Sequence, residues 1–244
     1  MSNFELQLDS KKLSGQMFAA LLGGELLLVL ADIFINHNKL IPIGSVQRLF
    51  NVAREDSLAA CFSWIQCLAV GMVIWLIYLR VRKTGWAVIA AFFTYLAVDD
   101  GAKVHERIGT AVKTVLRGAA DDDVKSDPSL FPSYTWQIVF VPLFAGMGFY
   151  ILHYIWREAR SARIRWLVFA GLACYGTAVG LDYIEGLDKG YDTVASIMSL
   201  NPKAVSHFGR VIEEFLEMFG TTFFLIGFGE QFAAVSPRTV VTFK

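Results

Sequence analysis

Six runs of about twenty mostly apolar residues divide this chain, and no other feature restricts its fold so tightly. They cover residues 14–35, 57–79, 86–98 with a helical continuation past 106, 135–156, 166–185 and 207–234. A run of that length is what a helix needs to cross the hydrocarbon core of a bilayer. In lipid every backbone N–H and C=O must be bonded within the protein, which leaves helices or closed barrels. These runs are too long and too uniformly apolar for barrel strands. The predicted fold is therefore all-α, an integral membrane bundle of six transmembrane helices. Residues 1–13 read as a polar N-terminal segment, 14–234 as the transmembrane domain and 235–244 as a C-terminal tail. The first run keeps a long polar flank and shows no small-residue cleavage site, so it reads as a retained helix.

Composition points the same way. The 244 residues are 55% hydrophobic and 18% charged, against about 45–50% and about 25% for a soluble domain. Net charge is zero, which suggests no nucleic-acid partner. Cys61, Cys67 and Cys174 all fall within apolar runs and form no CxxC pair, which suits buried thiols better than disulfides. The chain has no phosphate-cradling glycine loop, HExxH or GxSxG motif.

The connectors give an orientation. Two are short and basic, Arg80-Val81-Arg82-Lys83 and residues 157–165. Three are longer, at 36–56, 118–134 and 186–206, and the first contains IPIGSVQRLFNV, spaced like a short interfacial helix. Basic connectors favour the cytoplasmic side. Both termini are then cytoplasmic, in a bacterial inner membrane, with the long loops outside. A count of every Lys and Arg gives no such bias, because Lys103, Arg107, Lys113, Arg117 and Arg210 fall on the opposite side.

Alternation of the spans carries a functional consequence. It gathers Asp99, Asp100, His105 and Glu106 of the third run, Asp182 and Glu185 of the fifth, and His207, Glu213, Glu214 and Glu217 of the sixth at one end. Asp32, Glu55 and Asp56 join them. At 1.5 Å per residue from a boundary at His207, Glu213 lies about 9 Å deep and Glu217 about 15 Å deep. Charged groups at such depth line a cavity, pair with each other or hold an ion.

Carboxylates and imidazoles inside helix bundles build di-iron and di-manganese sites, and an oxygen-rich set with His suits Fe, Mn or Zn. The expected metal ligands are Asp99, His105, Glu106, Glu213 and Glu217. Glu55, Asp100, Asp182, Glu185, His207 and Glu214 are expected around them or as a base. Lys103, Arg107 and Arg210 offset the charge. The strict di-iron signature, Glu-x-x-His on two helices, is missing, and adjacent His105 and Glu106 diverge by about 100° on a helix. A salt-bridge network without an ion accounts for the same residues. Among single residues, Glu25 reads as a buried acid paired within the bundle, His37 as a loop residue and Glu230 as solvated.

Three stretches, FNVAREDSLAACFSW, YLAVDDGAKVHERIG and VIEEFLEMFG, resemble a group of uncharacterised bacterial multi-pass membrane proteins. That group has an acid-x-Ser entry to one span, an acid pair followed by His-Glu on the next, and a Glu-Glu then Glu-Met pattern near the end. Glu55, Ser57, Asp99, His105, Glu106, Glu213, Glu214 and Glu217 take the matching positions. Asp100 stands where the group commonly has Glu. The resemblance implies the same constellation and no particular activity.

Three functions follow as expectations. The leading one is a metal-centred site for hydrolysis or oxidation of a small or lipidic substrate. The second is a proton- or cation-coupled transporter. The third is an accessory subunit of a larger membrane complex. Expected partners are the lipid bilayer and a membrane-protein partner or a second copy of the chain.

Overall fold

The structure, a computed structural model, describes residues 10–102, 104, 107–109, 111, 135–187 and 190–236, with backbone only for 10, 11 and 135–139. Its helices are α1 Ser10–Ala31, which runs on through a π-helical turn Asp32–His37, then α2 Gly44–Phe50, α3 Leu58–Val81 and α4 Thr84–Ala102. After these come α5 Thr135–Glu158, α6 Ala162–Gly186, α7 Gly190–Met198 and α8 Pro202–Val235. Among the described residues there is no strand, so the chain is all-α. The segments Lys12–His37, Leu58–Val81 and Ala162–Gly186 are long and apolar enough to cross a membrane.

Local chemistry sets the helix ends. Ser57 Oγ accepts from Ala60 N–H at 3.2 Å and starts α3. Ser161 Oγ does the same for Ile164 N–H at 3.3 Å in α6. Asn201 accepts from Lys203 N–H at 2.9 Å, with Pro202 behind it in the first turn of α8. Both are standard helix-start chemistry, and they begin α8 five residues before His207. Arg82, at φ 59°, closes α3 in the left-handed conformation. Polypeptide chain expected as loop at 186–206 folds in part into α7.

Helix α8 is the axis of the bundle, with α1, α3, α6 and α7 packed against it. Met218, Gly220, Thr221, Thr222 and the unbroken run Phe224, Leu225, Ile226, Gly227 and Phe228 are buried. A helix buried on every side is an interior helix. Its closest neighbour is α6: a Cβ on Gly171 would stand 2.9 Å from the Gly220 carbonyl oxygen, and one on Gly220 3.1 Å from that of Gly171. Small residues facing each other allow this backbone approach. Phe93 and Trp86 of α4 stack edge-on against Phe224 and Phe228, while Ile151 and Ile155 of α5 complete the core. Outward faces stay apolar, with Leu26, Leu27 and Leu30 exposed on α1, Met72 and Leu76 on α3, and Trp166 and Phe169 on α6. Apolar surface of that extent suits lipid better than water.

Candidate functional site

The π-helical turn after α1 builds the first half of the site. Asn38 N–H reaches back five residues to the Ile33 carbonyl at 3.0 Å, and such turns recur at functional positions. Asp32 begins the turn and is fully buried. Its Oδ1 accepts from Asn36 Nδ2 at 2.9 Å and from the Val52 N–H at 3.1 Å. Its Oδ2 lies 2.8 Å from His207 Nε2. One carboxylate thus ties α1, the chain after α2 and the first turns of α8 together. His37, expected as a loop residue, sits in the turn and stacks on His207 with ring centroids 4.9 Å apart and planes 15° from parallel. Phe208 packs on both imidazoles.

His207 borders an open cleft of about 490 Å³ lined also by Asn51, Arg54, Lys203, Ser206 and Arg210. The rim is mainly basic, with Asp192 as its acid. Arg210, one turn along α8, pairs with Glu185 of α6 and so joins the cleft to the acids behind it.

Those acids form the second half. Glu214 is within electrostatic reach of Glu217, Glu213, Asp100 and Asp182. Glu213 is within reach of Asp182, Glu217, Glu185 and Arg210. The three segments singled out in the sequence therefore converge from α4, α6 and α8. Tyr191 of α7 lies over them, seated where a Cβ on Gly209 would stand 2.5 Å from its ring and oxygen. Its hydroxyl is buried without a hydrogen-bond partner. Burial, then the Glu213 and Glu185 carboxylates, push the phenol up to about 12 against the pull of Arg210, so it stays a neutral donor.

The expected metal set is only partly brought together. Among the described residues no group of three or more His, Cys, Asp or Glu side chains is arranged to hold a metal ion. The partners explain why. His207 is turned to Asp32, Glu185 to Arg210, and buried Asp99 accepts from Tyr95 Oη at 3.4 Å on its own helix. His105, Glu106 and Lys103 lie outside the described residues. Arg107 is exposed.

The acid-x-Ser stretch has a structural role instead. Ser57 caps α3, and Asp56 accepts from Arg54 Nε at 2.7 Å and Arg48 Nη2 at 2.8 Å. Those hydrogen bonds hold its carboxyl well below the usual range. Glu55 is exposed, on a depression with Ala53, Arg54 and Asp56.

A separate polar group lies within the bundle. Glu25 of α1, Gln66 of α3 and Thr222 of α8 are buried together. The sequence reading gave Glu25 a partner inside the bundle and missed which one. Gln66 and Thr222 are unremarkable in sequence, and only a polar residue in each facing apolar run hinted at them.

No curated protein and no solved structure matches this chain. A family model described as a domain of unknown function matches residues 19–230. That stretch runs from within α1 almost to the end of α8 and takes in the cleft, the acids and the buried polar group. The chain belongs to the family of this domain of unknown function, DUF8692.

Proposed function

We propose that this protein is a six-span inner-membrane hydrolase acting on an anionic substrate at the membrane interface, with an acid–base pair at the mouth of the long-loop end and a metal ion among the acids behind it. The observation that carries the reading is the Asp32–His207 contact at 2.8 Å on the border of a basic cleft. A buried carboxylate fixes the orientation of an imidazole, which is how a histidine is set up to take a proton from water or from a hydroxyl. Arg54, Lys203 and Arg210 suit a phosphate or carboxylate group on the substrate. A metal ion recruited to the acids around Glu213 and Glu217, which lie within reach of each other, would act as Lewis acid or activate a water. A dyad that moves protons favours hydrolysis over oxidation.

Six spans are supported by the helices found over all six apolar runs. A one-ended site is supported by the buried block Phe224, Leu225, Ile226, Gly227 and Phe228, which makes α8 apolar on every face between Thr222 and Glu230. A transport route would need polar groups there.

The test is elemental analysis of detergent-purified protein beside hydrolysis assays on phosphate and carboxylate esters of lipids. Bound Fe, Mn or Zn is expected near stoichiometry and is lost in Glu213→Gln/Glu217→Gln. His207→Gln is expected to slow hydrolysis about a hundredfold or more. Protein that holds no metal and hydrolyses none of these esters would overturn the reading and favour an accessory subunit.

A further inference from the structure

We infer that Glu25, Gln66 and Thr222 form a binding site for a small monovalent cation, sodium by the chemistry of its oxygens, in competition with the proton. The group is independent of the cleft. Glu25 and Thr222 are 0% exposed and Gln66 is 3% exposed. Gln66 Nε2 donates to Glu25 Oε1 and to Thr222 Oγ1, both at 3.0 Å. The Thr222 hydroxyl donates to the same Glu25 Oε1 at 2.5 Å. Every available donor therefore converges on one carboxylate oxygen or on the threonine. Glu25 Oε2 and Gln66 Oε1 are buried without a hydrogen-bond partner.

That pattern is costly as it stands. An unpartnered buried carbonyl is unfavourable, and an unpartnered buried charge is more so. Among the described residues no Lys, Arg or His is paired with Glu25. A proton on Oε2 neutralises the acid but supplies one hydrogen. A cation satisfies several oxygens at once: the free Glu25 oxygen, the remaining lone pair of the Thr222 hydroxyl and, with the amide turned over, the Gln66 carbonyl, whose nitrogen otherwise faces the other two. Hard cations take such ligands, and one carboxylate balances one positive charge.

The surroundings leave Glu25 as the group that titrates. Helix α3 presents Gln66 and α8 presents Thr222, neither of which ionises. Helix α6 brings Cys174 within electrostatic reach. Cys67, next to Gln66, donates its thiol to the Phe93 carbonyl of α4 at 3.5 Å. Glu217 of α8 reaches Cys67 and Tyr175.

The experiment uses the whole protein in detergent and dicyclohexylcarbodiimide. A protonated carboxyl adds across the carbodiimide and rearranges to a stable N-acylurea, which mass spectrometry locates. In sodium-free buffer Glu25 is expected to be labelled. Sodium chloride should suppress the label and choline chloride should not, with more sodium needed as pH falls. Gln66→Leu keeps the carboxyl and loses a ligand, so its label should persist while sodium protection is lost. A label on Glu25 that is indifferent to sodium would overturn the inference and leave a permanently protonated structural acid. Absence of label in sodium-free buffer, or sodium protection retained in Gln66→Leu, would overturn it as well.

Discussion

The two ends of the bundle both pair charges, but among the described residues only one also gathers acids. At the arginine-rich end, Lys83 meets Glu158 at 2.7 Å and Arg163 meets Glu230 at 3.0 Å. Gln231 accepts from the Arg160 N–H at 3.0 Å and donates to the Glu158 carbonyl at 3.2 Å, which ties the connector to α8. Glu230, expected to be solvated, is paired. At the other end Asp100, Asp182, Glu213, Glu214 and Glu217 lie within reach of one another, and Arg210 of α8 is already committed to Glu185. Pairing at one end contributes a little stability. Like charges gathered at the other end repel one another, whatever partners offset them. Clusters of acids recur at functional sites, which is why the proposed chemistry is assigned to that end.

That contrast can be broken or sharpened by substitution, and the largest effect comes from the seam that holds both ends. Gly220→Leu drives a side chain into Gly171 and Tyr175 of α6. It should cost about 3 kcal/mol, read as a loss of folded protein on thermal unfolding in detergent, and it should disrupt both ends at once. Asp32→Asn leaves His207 without its carboxylate and should cost about 2–3 kcal/mol. Unchanged melting would mean that the pair is not formed in the bilayer. Glu213→Gln removes one of the crowded charges and should raise stability by about 1 kcal/mol while lowering metal content and hydrolysis. A drop in stability there would mean that Glu213 is satisfied by a partner and that the ends are alike after all. Glu158→Gln, at the paired end, should cost about 0.5 kcal/mol or less, because Lys83 is half exposed. The opposite signs of these last two substitutions are the sharpest test of the comparison.

Much of the architecture was written in the apolar runs. Length and hydropathy locate all six long helices, because a bilayer demands continuous apolar stretches whatever they pack against. Helix ends were less legible, since Asn201 with Pro202 outweighs the apolar pattern and starts α8 early. Convergence of Asp100, Asp182 and the Glu213 group followed from alternation alone. Partner choice did not. His207 was grouped with the acids of its own helix, yet it bonds Asp32, 175 positions away. Residue spacing along one helix says which side chains share a face, and it is silent about which face of another helix comes to meet them. His37 was missed for a related reason, because a π-helical turn rotates its side chain out of the α-helical register.

The central position of α8 has a consequence for how the protein is made. Glu25 and Asp32 leave the ribosome well before their partners Thr222 and His207, which follow 197 and 175 positions later. Until then Asp32 has only Asn36 and Val52, and Glu25 only Gln66, of the partners they hold in the finished bundle. Helices α3 and α4 can pack on each other early, but the helix that α1, α3 and α6 all pack against is translated after all of them. Assembly of this bundle thus ends in a closing step. Until α8 inserts, the first helix must keep its acids neutral, remain near the membrane surface, or be sheltered by the insertion machinery.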